Sequence, residues 1–147
     1  MDWIQIHLAL NHVPVIGTPI LVLLLVAGWY RKSDDVIRVA LWAIVLLAVA
    51  AIAIKFTGDF AFEQSSNRFA AVKDFVSRHE QEGDQVTTGV FFLGIAATLA
   101  LFLARRKKPF RPWTLALVLV IGIVTVVLYA RSAHTGGQIS HPELRGS

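Results

Sequence analysis

Residues 16–27 read Ile16-Gly17-Thr18-Pro19-Ile20-Leu21-Val22-Leu23-Leu24-Leu25-Val26-Ala27. No ionisable side chain interrupts this run, and the apolar character extends outward over a segment from Trp3 to Tyr30. A bilayer core needs about 20 apolar residues of helix, so the segment is long enough to span it. Three further runs share its character, at about 39–56, 86–104 and 113–130. Four such runs, joined by two short turns and one longer polar region, predict one all-α domain over residues 1–147. The architecture is an integral membrane, antiparallel four-helix bundle with both termini on one side.

The chain has 147 residues, of which 55% are hydrophobic. The net charge of +4 does not indicate nucleic acid, because the basic residues concentrate in short turns between apolar runs. Cysteine is absent, which excludes disulfides, thiolate metal sites and covalent c-type haem attachment. A cleavable signal peptide is not expected, since Asp2 stands where a basic leader would begin. Glycine-rich phosphate loops, nucleophile elbows and dinucleotide fingerprints are also missing.

Within the first run, Pro14 and Pro19 cannot donate backbone hydrogen bonds, so its helix is expected to begin near Pro14 or to kink there. Trp29 and Tyr30 resemble an interfacial anchor. The second run is rich in alanine, which permits close helix approach in lipid, and Lys55 near its end is positioned to snorkel outward. Thr57 to Gln85 is the longest polar region. Inside it an amphipathic segment at about 66–82 places Phe69, Val72, Val76 and His79 on one helical face, with Ser65, Ser66 and Asn67 as N-cap candidates. The same face continues through Gly83, Val86, Val90, Gly94 and Ala97 into the third run.

The turns at 31–38 and 105–112 hold eight of the fourteen basic residues and two of the ten acidic ones. By the positive-inside rule these turns are cytoplasmic. The termini and the long polar region then face outward, into the periplasm if the membrane is a bacterial inner membrane. All five histidines, His7, His12, His79, His134 and His141, fall on that outer side.

Each histidine has a plain structural role open to it. His7 suits a solvated interface, and His134 and His141 suit the end of the fourth helix, where they can bond free carbonyls. Gly136-Gly137 between them is read as a helix break. His12 beside Pro14 and His79 on the apolar face are expected to point into the bundle, because ionisable groups at such depth seldom face lipid. Imidazole is also a common metal ligand. A haem b site needs one or two axial histidines, an apolar slot and cations for the propionates. Here His79 and His12 are the expected axial ligands, with His134 or His141 as substitutes, the stripe from Gly83 to Gly94 as the slot, and Arg78 and Arg131 as propionate partners.

The chain resembles an uncharacterised group of small bacterial four-helix membrane proteins. The resemblance is carried by His12-Val13-Pro14 on the first helix, by His79 before the third, and by Gly136-Gly137 followed by His141 after the fourth. It implies four spans and an outer histidine site. By analogy with other four-helix haem proteins, it suggests a minimal b-type cytochrome.

The expected function is a haem b protein passing single electrons at the outer face, to or from quinol or a periplasmic redox protein. Whether that makes it an oxidoreductase or an electron-transfer component is left open, as is a homodimer. One alternative is a zinc or copper site drawn from His7, His12, His79, His134 and His141, with Glu63 or Glu80. Zinc takes three or four such ligands, and compact ligand spacings are absent. The other alternative is a structural subunit whose histidines pair with carboxylates such as Asp59 and Glu63.

Overall fold

The computed structural model describes residues 2–65, 73–105, 108–141 and 143. Four helices account for nearly all of them: α1 (Trp3–Tyr30), α2 (Asp34–Ser65), α3 (Lys73–Leu103) and α4 (Pro112–Ser140). All four are long and apolar enough to cross a membrane. Each packs against its sequence neighbour, and α1 packs against α4 to close the ring. The protein is therefore an all-helical four-helix bundle, with its termini at the end opposite the two short turns.

The helices are longer than the apolar runs that announce them. α1 begins at Trp3, where the Asp2 carboxylate accepts from the backbone N–H groups of Ile4 and Gln5 at 3.1 and 3.4 Å. It passes through both prolines, so the helix does not start at Pro14. Buried Thr18 satisfies its hydroxyl on the Pro14 carbonyl at 2.7 Å. α2 continues to Ser65 and α3 begins at Lys73. Much of the polar region expected between the spans is thus helix projecting past the apolar zone. Phe69, Val72, Ser66 and Asn67 lie outside the described residues, as does the Ser65 side chain.

α4 runs unbroken through Gly136-Gly137 and ends only at its C-cap, His141. The expected helix break is absent. A helical glycine costs about 1 kcal/mol relative to alanine, but here the bare backbone of Gly136 serves as a packing surface, as described below.

Close approach at glycine recurs on all four seams. A methyl group on Gly28 would sit 3.0 Å from the Ile37 backbone nitrogen, between α1 and α2. On Gly94 it would meet the Ala48 methyl at 2.7 Å, between α2 and α3. Gly89 faces Thr125 Oγ1 at 3.1 Å and Gly122 faces Val22 Cγ2 at 2.8 Å, closing α3 on α4 and α4 on α1. Lipid supplies no hydrophobic drive between helices, so this close packing is what holds them together. The Gly94 stripe expected to admit a flat ring is at that depth filled by α2.

The core is apolar towards the short turns. Leu25, Leu41, Ile44, Leu93, Leu115 and Val118 are buried there. Arg38 stacks over the Phe110 ring at 5.1 Å and ties the two turns together. A smaller cluster of Ala51, Val86, Val90 and Tyr129 follows towards the termini. Outward-facing positions are apolar as well, with Leu23 67% and Leu46 68% exposed. Such a surface belongs against acyl chains.

Gly94→Ala is expected to lower stability by about 1–3 kcal/mol through overpacking. Gly83→Ala, whose added methyl group meets nothing within 4 Å, is expected to be neutral or stabilising by up to about 1 kcal/mol. Thermal unfolding in detergent, followed by circular dichroism, checks the contrast.

Candidate functional site

At the end that carries the termini, the interior changes from apolar to polar. α4 turns a buried face of Thr125, Ser132, Thr135 and Gln138 towards the bundle. Two histidines meet this zone from different helices. His7 of α1 lies on α2, its Cε1 2.9 Å from where a methyl on Gly58 would sit. His79 of α3 lies on α4 in the same manner, its Cε1 3.0 Å from a methyl on Gly136. Each hairpin therefore seats an imidazole of its first helix on a glycine of its second. The two rings stand within electrostatic reach of one another.

Hydrogen bonds assign the ring protons. His79 Nδ1 lies 3.0 Å from the Ser132 carbonyl oxygen, which can only accept, so Nδ1 carries the hydrogen. His7 Nδ1 lies 3.2 Å from Thr57 Oγ1. That hydroxyl gives its single hydrogen to the Ile54 carbonyl at 2.7 Å, so towards His7 it accepts. Both rings are thereby held as Nδ1–H tautomers, with lone pairs on Nε2. A carbonyl or hydroxyl partner on the far ring nitrogen is the usual support of a metal-binding imidazole.

Charged groups surround the pair. Glu82, one turn after His79, is within electrostatic reach of it. Its Oε1 stands 3.9 Å from Arg131, and its buried Oε2 has no hydrogen-bond partner among the described residues. Lys55 bonds Asp59 on its own helix and Asp84 across the seam on α3, the latter at 3.0 Å. It is thus held in an ion-pair network rather than snorkelling alone. Lys55 and Asp59 both lie within electrostatic reach of His7.

The other expected site residues do not join this pair. His12 is exposed on the outside of α1, with Nδ1 2.6 Å from the Leu8 carbonyl of its own helix. It follows His7 by five residues, which rotates it about 140° around the helix axis, so the two cannot face the bundle together. His134 is exposed and 3.3 Å from Gln138 Nε2. His141 is exposed and 3.1 Å from Glu143. Arg78 and Arg131 are exposed at the same end of the bundle. Among the described residues, no three histidine, aspartate or glutamate side chains come together in a way that could hold a metal ion.

Thr57, Glu82, Ser132 and Gln138 were not singled out from the sequence. The helical spacing of Ser132, Thr135 and Gln138 was the available signal, since three polar residues on one face of an apolar helix mark a buried polar lining.

These features define an integral membrane four-helix bundle with a polar, histidine-bearing mouth. Residues 4–142 match the family described as Predicted membrane protein (DUF2231), and the chain belongs to that family. No curated protein and no solved structure matches it.

Nitrogen-15 NMR of the labelled imidazoles should report Nδ1–H tautomers for both His7 and His79. Thr57→Val removes an acceptor and should alter the His7 resonances while leaving those of His79 in place, at a cost of about 1 kcal/mol in stability.

Proposed function

We propose that this membrane protein binds haem b between His7 and His79 and carries single electrons near the mouth of the bundle. The observation that carries this reading is the pair itself. Two imidazoles, from α1 and α3, each keep Nε2 as the unprotonated nitrogen through a hydrogen bond at Nδ1. Haem iron takes one or two axial imidazoles, whereas a protein zinc site draws on three or four ligands. A pair with no third partner among the described residues favours the former. His7 replaces His12 as the second ligand, for the rotational reason given above.

When bound, haem supplies a one-electron iron couple. The protein's part is to hold the two ligands, through Thr57 and Gly58 on one side and Ser132 and Gly136 on the other. Arg78 and Arg131, exposed at the same end, are the cations available to propionates. Glu82 and Asp59 contribute negative charge beside the ligands, which favours the oxidised, more positive iron.

The basic turns support a cytoplasmic position for the opposite end. The histidine mouth and both termini then face the outer side of a bacterial inner membrane, where quinol or a periplasmic redox protein can exchange electrons.

Protein purified from haem-supplied cells should show a Soret band that shifts on dithionite reduction. His7→Ala or His79→Ala should abolish the six-coordinate spectrum, while His12→Ala, His134→Ala and His141→Ala should preserve it. Colourless wild-type protein, or protein carrying stoichiometric zinc or copper without iron, refutes the proposal.

A further inference from the structure

A groove of about 350 Å³ lies on the α2–α3 seam, facing the membrane. On α2 it is lined by Ala48, Ala51 and Ile52, and on α3 by Thr88, Phe91 and Phe92. Lys55 follows Ala51 and Ile52 by four and three residues, so it stands one turn above them on the same helical face. Asp84 stands one turn before Thr88, whose hydroxyl bonds the Asp84 carbonyl at 2.9 Å. The Lys55–Asp84 ion pair, 3.0 Å long, therefore crosses the seam at the top of the groove.

We infer that this groove is a binding site for a membrane quinone, with the ring under the Lys55–Asp84 pair and the isoprenoid tail along Phe91 and Phe92. Charge selects the class of head group. Lys55 is already matched by Asp59 and Asp84, so the three groups together carry net negative charge. An anionic phospholipid phosphate is repelled there. A neutral ring that both accepts and donates hydrogen bonds is accommodated: quinone carbonyls accept from the Lys55 ammonium, and quinol hydroxyls donate to the partly exposed Asp84 carboxylate. The groove itself offers little polar competition, because the hydroxyls of Thr87, which also lines it, and Thr88 are both committed to their own helix. Lys55 also lies within electrostatic reach of His7, which brings the head group next to the histidine mouth. The site goes beyond the haem reading and does not depend on it.

Equilibrium dialysis of a decyl-chain benzoquinone analogue and its naphthoquinone counterpart against detergent-solubilised protein tests the assignment. Saturable binding of at least one analogue, at one per chain, is expected. Thr88→Trp, which fills the groove from an exposed position, should weaken binding at least tenfold, and Lys55→Met should do likewise. Val120→Trp, on the exposed face of α4, should leave it unchanged. The measurement is repeated on His79→Ala protein, where persistent binding shows that the groove works without haem. Non-saturable partitioning, equal uptake by Thr88→Trp, or displacement of the analogue by phosphatidylglycerol overturns the inference. Retained helicity on circular dichroism confirms that each variant compared is folded.

Discussion

The bundle depends on how closely its helix backbones can approach in lipid. Acyl chains are as apolar as leucine, so burying a leucine between helices gains little over leaving it exposed. What remains is contact, and contact improves where side chains are smallest. One glycine on each of the four seams meets its neighbour so closely that an added methyl group would stand 2.7–3.1 Å from it. These approaches fix the helix separations, and every other feature of the molecule is built on that spacing.

The same device operates at the histidine mouth for a different end. Gly58 and Gly136 do not bring helix against helix; they bring backbone against imidazole. A side chain at either position would push the ring away from its hydrogen-bond acceptor. The ring is thus held between a flat backbone and a fixed acceptor, with Nδ1 committed to that acceptor. Repetition of this arrangement in both hairpins gives the mouth its two-sided character. It also explains why a helical glycine stands at position 136 near the end of α4.

Polarity is graded along the bundle axis. The end with the short turns is sealed by leucine, isoleucine and alanine and pinned by Arg38 on Phe110. The opposite end carries buried hydroxyls and a buried amide, together with a carboxylate one of whose oxygens is unmatched among the described residues. Buried polar groups are costly in such surroundings. Ser132, Thr135, Gln138 and Glu82 place such groups at that end, beside a seam groove open to the membrane, whereas Thr114 at the short-turn end is satisfied on the Arg111 carbonyl.

Much of the fold was legible in the sequence, because a bilayer imposes a length and a polarity that appear as apolar runs. Four spans, two basic turns and the gathering of histidines at one end followed from residues 16–27 and their counterparts. Helix ends were less legible, since α2 and α3 extend through polar residues that no lipid constraint marks. The prolines suggested a helix that starts or kinks near Pro14, and α1 in fact starts at Trp3; the Gly-Gly pair suggested a break, and α4 continues through it. The choice of His7 over His12 could not be read, because it depends on the rotation of α1 about its axis. That rotation is set by Gly28 and Gly122 against neighbouring helices, together with the seating of His7 on Gly58. By itself the sequence determined that the chain crosses a membrane four times and carries its imidazoles at one end. Only the tertiary structure decided which two of them lie half-buried against a neighbouring helix, because helix rotation is fixed by contacts between residues far apart in the chain.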